Sequence, residues 1–367
     1  MTFVGIDIGA ERHVVAVVDE SGAILHRPVS FGEEAAGYRR LRELLGNPAD
    51  YLAAMEATGH YWRNLFAWLT AEGFSIALIN PLRTRRFAEE ELERTKTDKV
   101  DAVGIARFAA QKHPMPTELP QPAIDELRQL VRLRETTVQH LGDRVRNLHQ
   151  AIDLTFPEFT RHVRGLDSEL ATSILSRYPT AEKLREVSIR RLAGLCCDGR
   201  RRVGSTLAHH LIEAAKISVG SHDSEAYELQ VRYACKDIIG LRARERELKV
   251  EIERRLSVHE VGKLLTTIEG VGTLTAACII AETGDPARFR SAAALASYVG
   301  VVPRLHQSGK RKHSGKAAVP LGNARLRRAL WMPVLVAVRL NPWLRAYYRR
   351  LRAAGKRPKV RDDRRHA

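Results

Sequence analysis

Residues 1–9 read M-T-F-V-G-I-D-I-G. Val4, Ile6 and Ile8 alternate with Phe3, Gly5, Asp7 and Gly9, the period of two that marks a strand. Nearly every position is apolar or Gly, so the run predicts a central strand with one carboxylate set into it. A lone ionised Asp there is strongly unfavourable unless it is paired or bound to a cation. The companions of Asp7 therefore decide what this strand is for.

Working outward, residues 13–19 and 23–30 predict two further strands, with Glu20-Ser21-Gly22 as the turn between them, so the chain opens as an antiparallel meander. Helical patterns follow at 33–46 and 61–72. Residues 51–55 form a short apolar run ending at Glu56, and 74–79 form a fifth strand. Strands joined through a helix pair in parallel by a right-handed crossover. A meander followed by alternating strands and helices is the order of an α/β, RNase H-like mixed sheet; doubly wound α/β folds are the alternative.

Residues 95–112 read as a loop entering a helix, and Pro114, Pro116, Pro120 and Pro122 then predict a stiff linker. Beyond it Ile124, Leu127, Val131, Val138, Leu141, Val145, Leu148 and Ile152 keep a heptad spacing broken once at Arg134, the pattern of a long amphipathic, coiled-coil-like arm. A second long helix is predicted over 223–257. The two either pack on each other as an antiparallel hairpin or mediate dimerisation. Around Gly270 and Gly272 the text turns between two helical runs, as in a helix-hairpin-helix, where a tight turn brings backbone N–H groups near a phosphate; a helix–helix turn without ligand is the plainer reading. A Gly-rich basic loop spans 307–316, and helices are expected at 323–339 and 341–354. The predicted organisation is an α/β catalytic domain at 1–115, a mostly α-helical linker and coiled-coil region at 116–260, a C-terminal domain at 261–345 and a basic tail at 346–367 that is expected to be disordered without its partner.

Charge sharpens this division. The chain of 367 residues carries a formal +17. Residues 1–112 hold 14 Lys/Arg against 16 Asp/Glu, whereas residues 303–367 hold 19 against 2, so the excess lies at the C-terminal end. Such a block suits a polyanion, and nucleic acid is the expected partner. Cys196, Cys197, Cys235 and Cys278 show no C-x-x-C spacing and fit reduced, packed thiols without structural zinc. No eighteen-residue apolar run and no secretory leader pattern occur, which predicts a cytoplasmic protein with no membrane partner.

The carboxylates that could accompany Asp7 are Glu56, at the end of the fourth strand, and Asp98 with Asp101. The last pair, three residues apart, share one helix face with Cβ atoms about 5–6 Å apart. Four carboxylates without His or Cys suit oxygen-loving ions, so Mg²⁺ or Mn²⁺ is expected, as two ions. Such a pair, about 3.5–4 Å apart, serves phosphodiester cleavage by activating the attacking oxygen and stabilising the leaving one. Taken singly, Asp98 could as well be a helix N-cap and Asp101 a solvated helix residue.

The stretches G-I-D-I-G (5–9), M-E-A-T-G-H-Y-W (55–62) and K-T-D-K-V-D-A (96–102) resemble the DEDD signature of the "one-ten" family of insertion-sequence transposases, whose N-terminal domain is RuvC-like. The later I-E-G-V-G, A-E-T-G-D, L-A-S-Y-V-G-V-V-P, Q-S-G and G-N-A-R-L-R-R-A-L resemble that family's C-terminal domain. The resemblance implies a DNA transposase and recombinase whose metal-binding acids are Asp7, Glu56, Asp98 and Asp101. It also implies a serine nucleophile that forms a covalent phosphoserine link to DNA. Ser308 in Q-S-G is the best match; Ser297 and Ser314 compete. The implied partners are the element's DNA ends and target, a structured non-coding (bridge-type) guide RNA, and further copies of the chain in a dimer or tetramer. A nucleoid-associated location follows from these partners. Candidate nucleic-acid contacts are Lys96, Lys99, Gly270, Gly272, Lys310, Arg311, Lys312, Lys316, Arg325, Arg327 and Arg328. Two departures stand out: G-K-A-A-V-P-L-G-N (315–323) lacks the Ser and Lys of the family's G-x-I-S-K-x-G-N, and Glu269 occupies a position where Pro is common.

Three other readings compete. A RuvC-like, structure-specific endonuclease would hydrolyse DNA with metal-activated water and leave Ser308 inert. An actin-like kinase or ATPase would share D-I-G after a strand, but requires a second Asp-Gly-rich phosphate loop that this sequence lacks. A catalytically dead nucleic-acid scaffold would be indifferent to Asp7→Asn.

Overall fold

A computed structural model describes all residues except 93, 94, 96, 198, 200, 303–321 and 356–367. The chain forms two compact units, Met1–Leu119 and Pro120–Ala367.

The first unit is built on five strands: β1 (Thr2–Asp7), β2 (Arg12–Val18), β3 (Ile24–Gly32), β4 (Tyr51–Glu56) and β5 (Ser75–Ile79). Their order in the sheet is β3-β2-β1-β4-β5. The first three are antiparallel, while β1–β4 and β4–β5 are parallel. This mixed order is the RNase H-like, RuvC-like arrangement. It places β1 at the centre, with Val4 and Ile6 fully buried. Helices α1 (Ala35–Leu45) and α2 (Trp62–Ala71) cover one face, closing a core that includes Val15, Leu41, Met55, Leu65 and Phe66. Helices α3 (Pro81–Glu90) and α4 (Asp98–Lys112) cover the other, around Phe3, Ala54, Phe87, Ile105 and Ala106.

The sequence pattern did not reveal α3. It starts as an Asn N-cap should, with the Asn80 side chain accepting from Leu82 N–H and Pro81 at the first helical position. The proline linker also differs from expectation. Thr117 is tied to β5, its N–H donating to the Ile76 carbonyl at 2.7 Å and its Oγ1 accepting from Leu78 N–H at 2.9 Å. Pro122 is the first residue of the next helix rather than linker.

The second unit is helical: α5 (Pro122–Thr155), α6 (Phe159–His162), α7 (Glu169–Arg177), α8 (Ala181–Arg185), α9 (Ile189–Ala193), α10 (Ser205–Lys216), α11 (Glu225–Ser257), α12 (Glu260–Thr266), α13 (Thr273–Thr283), α14 (Ala292–Val299), α15 (Ala324–Leu340) and α16 (Pro342–Ala353). Ion pairs Arg255–Glu126, Arg134–Glu245 and Arg144–Asp237 run in opposite order along α5 and α11. The long helices therefore pack within one chain as an antiparallel hairpin. Leu148, Ile152, Val231 and Ile238 are fully buried in its seam, together with Phe156 and Phe159. The single break in the heptads, Arg134, is where α5 reaches across to Glu245 at 2.5 Å.

At the other end of the hairpin, Leu127, Ile252 and Leu256 pack on Ala276, Ala277 and Ile280 of α13. The α12–α13 pair is the helix-hairpin-helix-like element. Among the described residues no helix is long and apolar enough to cross a membrane.

Candidate active site

Asp7 is the last residue of β1, in register with Val14 of β2, and Glu56 is the last residue of β4. The third component depends on Gly5. A Cβ on Gly5 would lie 2.2 Å from the Ala102 carbonyl oxygen and 2.3 Å from the Ala106 nitrogen, so α4 rests directly on the β1 backbone. Ala102 and Ala106 are themselves fully buried, and the small residues on both sides permit the approach. This contact brings the first turn of α4, with Asp98 and Asp101, toward the end of β1.

Neither acid is spent on capping the helix. Thr97, rather than Asp98, is the N-cap of α4: its hydroxyl accepts from Val100 N–H at 3.3 Å, and its carbonyl accepts from Asp101 N–H at 2.8 Å. Asp98 is exposed and Asp101 half-buried in the helix's first turn, where the helix dipole favours negative charge. Glu56 is held from a side that the sequence did not point to, because Thr84 of α3 donates to its Oε1 at 2.5 Å and Thr58 donates to its Oε2 at 3.3 Å. The Asn80-Pro81 helix start is the signal through which Thr84 could have been found.

Electrostatics bind the four acids into one constellation. Burial first, then the charges of Asp101, Asp98 and Glu56 in that order, together push the Asp7 carboxyl up to about 6, against a lowering hydrogen bond from Ile8 N–H. This is the behaviour of a partly buried carboxylate with other carboxylates near it. Among the described residues, no three acids, imidazoles or thiols stand close enough to hold one ion as the side chains lie. The donor chemistry nevertheless fits a hard cation: an all-oxygen, carboxylate-only set of the kind that divalent ions take.

On the opposite face of the sheet, buried His13 of β2 meets Glu33 at 2.5 Å, and Glu33 also accepts from Tyr38 at 2.7 Å and Asn64 at 3.0 Å. Burial opposes ionisation of Glu33, but these donors hold its carboxyl below the ordinary range. The network ties β2, α1 and α2 together behind the acids.

Apart from Lys96 and Lys99, which flank Asp98, the remaining candidates lie far from these acids in sequence. Lys99 is exposed on α4; Lys96, Ser308, Ser314, Lys310, Arg311, Lys312 and Lys316 lie outside the described residues. Ser297 is exposed near the end of α14, with its carbonyl accepting from Gly300 N–H. Gly270 has a φ of +88°, and a Cβ there would lie 2.7 Å from the Pro333 carbonyl oxygen, so its missing side chain lets the α12–α13 turn pack on α15. Gly272 caps α13 with open space around it. Arg325 and Arg328 both pair with Glu135 of α5, and Arg327 donates to the Val299 carbonyl at 2.9 Å.

Glu282 of α13, in the A-E-T-G-D stretch, is 4% exposed. It accepts from Arg132 at 2.9 and 3.0 Å and from Asn323 at 2.7 Å, while its own carbonyl accepts from the Tyr298 hydroxyl at 2.7 Å. Asn323 N–H in turn donates to the Tyr298 carbonyl at 2.8 Å. One buried carboxylate thus joins α5, α13 and the start of α15.

Known proteins resemble the chain at both ends. A family model described as a transposase, of the IS110 DEDD type, matches residues 4–157, and one described as the transposase IS116/IS110/IS902 family matches 262–349. A Streptomyces coelicolor protein named as the mini-circle transposase for IS117 is 30% identical over 96% of this chain and 88% of its own length. The pilin gene-inverting protein of Moraxella lacunata is 28% identical over 83% of this chain and 73% of its own. Among solved structures, Thermus thermophilus RuvC in complex with a Holliday junction substrate aligns over 32% of this chain and 99% of its own, at 17% identity and a TM-score of 0.24. The chain belongs to the IS116/IS110/IS902 family of insertion-sequence transposases.

Proposed function

We propose that this transposase cuts and rejoins DNA at the Asp7–Glu56–Asp98–Asp101 constellation, with Ser308 as nucleophile. The observation that carries the reading is the raised Asp7 carboxyl, which ties acids from two strand ends and a helix into a single electrostatic unit. Two Mg²⁺ or Mn²⁺ ions held there would supply activation of the attacking oxygen and charge stabilisation at the scissile phosphate. Thr84 and Thr58 keep Glu56 oriented, and the Thr97 cap keeps the Asp98–Asp101 face presented to the end of β1.

In the proposed step the Ser308 Oγ gives up its proton and attacks phosphorus. A phosphoserine ester forms, the P–O bond to the departing strand breaks, and the departing oxygen takes up a proton. Attack by the hydroxyl of a new strand reverses these changes and restores the serine. The family resemblance suggests assembly from more than one copy of the chain, with the serine of one copy completing the acidic site of another, and this is part of the proposal. The basic C-terminal region would grip nucleic-acid backbones while a structured guide RNA supplies sequence by base pairing.

The test is a denaturing gel of labelled element-end DNA after reaction with the wild-type protein. A protein–DNA adduct that is lost in Ser308→Ala supports the proposal. Cleavage that persists in Ser308→Ala without any adduct identifies a water-using endonuclease instead.

A further inference from the structure

Helix α16 reads P-W-L-R-A-Y-Y-R-R-L-R-A, and none of its residues is buried. Trp343, Tyr347 and Arg350 fall at positions i, i+4 and i+7, which share one helix face. Trp343 is 76% exposed, and its ring plane lies within 12° of that of Tyr347, with centroids 6.5 Å apart. The Arg350 guanidinium sits over the Tyr347 ring at 5.1 Å. The face is therefore a short run of π surfaces ended by a cation.

Its charge selects the occupant. Helices α15 and α16 together contain eight arginines and no carboxylate. Among the described residues Arg325 and Arg328 pair with Glu135, while Arg345 donates to the Arg339 carbonyl; Arg349 and Arg350 are both exposed on α16. A second copy of this face would bring arginine against arginine. Duplex DNA would satisfy the arginines but keeps its base faces stacked inside. An unpaired strand offers phosphates and free base faces together, the combination that aromatic and arginine-lined surfaces bind.

We infer that α16 is a docking surface for single-stranded DNA, with a base stacked on Trp343 and Tyr347 and its phosphates on Arg350 and Arg349. DNA is the nucleic acid on which a transposase acts, and cutting it frees unpaired strands. The inference rests on the reading of the chain as a DNA-cutting transposase, although binding can be measured apart from cutting.

Full-length protein carrying Asp7→Asn is titrated into labelled oligothymidylate, oligouridylate of the same length, and a duplex of that length, following anisotropy and tryptophan fluorescence. In that background, adding Trp343→Ala or Tyr347→Ala should weaken oligothymidylate binding roughly ten-fold each. Trp343→Phe should keep most of the affinity, Arg350→Gln should weaken binding and flatten its salt dependence, and the duplex should be little affected. All three positions are exposed, and unchanged melting temperatures establish that the variants fold. Unaltered oligothymidylate affinity in both alanine variants overturns the inference. So does tighter binding of oligouridylate than of oligothymidylate that is lost in the same variants, which would make RNA the occupant. A smaller sedimenting species for Trp343→Ala would assign the face to a second copy and overturn it as well. Failure of the adduct test on Ser308 would leave these binding measurements unchanged, so the two ideas fail separately.

Discussion

The Gly5 Cα and the Ala102 carbonyl approach so closely that a single methyl group on Gly5 would lie 2.2 Å from that oxygen. The neighbour is helix backbone, which cannot swing aside as a side chain would. Gly5→Ala must lift α4 from β1, and with it Asp98 and Asp101. The expected cost is about 1–3 kcal/mol of overpacking strain, with Gly5→Val worse. Strand cleavage should fall by more than the loss of stability explains, because the displaced helix carries half the acids. Thermal melts alongside single-turnover cleavage check this; unchanged cleavage in a folded Gly5→Ala protein would contradict it.

On the proposed function the four carboxylates would bind divalent cation in the folded protein, and binding to the native state alone raises stability by mass action. Protein stripped with chelator should gain melting temperature on titration with Mg²⁺ or Mn²⁺. Asp7→Asn should remove most of that gain, whereas Asp19→Asn should keep it, since Asp19 is occupied by the Ser21 hydroxyl and the amides of Ser21 and Ala23. Equal gains in both variants would show that the ions bind elsewhere.

The α/β half was legible from sequence because its strands are short β-branched and alanine-rich runs bounded by turn residues, and each of the five emerged within a few residues of its observed span. The acids followed, since Asp7 and Glu56 end strands and Asp98 and Asp101 open a helix. What stayed hidden was long-range contact. Nothing around Gly5 announces a helix backbone almost a hundred residues later, and nothing around Glu56 names Thr84. The heptads of α5 and α11 could not separate a hairpin from a dimer, because one apolar seam serves either partner. Only the antiparallel order of ion pairs such as Arg134–Glu245 and Arg144–Asp237 decides it. Glu282 passed unread as a packing residue, since a buried carboxylate is recognisable only when Arg132 and Asn323 are seen around it.

Glu282 also predicts a pH dependence. Burial would raise its carboxyl, but hydrogen bonds from Arg132 and Asn323, with the charges of Arg132 and Arg325, hold it below its ordinary value of 4.5. A carboxylate with a depressed folded-state pKa contributes stability that is fully present above the unfolded value and lost as pH falls through the folded one. Melting temperature should therefore decline below about pH 4.5 in wild type, and less steeply in Glu282→Gln. At neutral pH that variant should be less stable by about 3 kcal/mol, since Arg132 loses its ion partner. Parallel acid limbs for the two proteins would remove Glu282 as a contributor.

The hairpin separates packing from charge. Ile238 is fully buried in the α5–α11 seam, and Ile238→Ala should cost roughly 2–5 kcal/mol. The Arg144–Asp237 pair, with both side chains 49% exposed, should show a coupling of only about 0.2–1 kcal/mol in a double-mutant cycle. Denaturant unfolding of the five proteins (wild type, Ile238→Ala, the two single charge variants and their double) measures both; a coupling larger than the Ile238→Ala cost would mean that charge, not the seam, holds the arm.

Thr97 gives the narrowest test of how the acids are presented. Its hydroxyl caps α4 through Val100 N–H, one residue before Asp98. Thr97→Ala should cost about 1 kcal/mol, and Thr97→Ser should recover most of it, because the hydroxyl is what makes the bond. Fraying of that first turn would also spread the positions of Asp98 and Asp101. The concentration of Mg²⁺ needed for half-maximal cleavage should therefore rise in Thr97→Ala and return in Thr97→Ser. If stability falls as expected while metal demand stays at the wild-type level, the cap holds the helix but does not set the acids, and the preorganisation must come from the Gly5 contact alone.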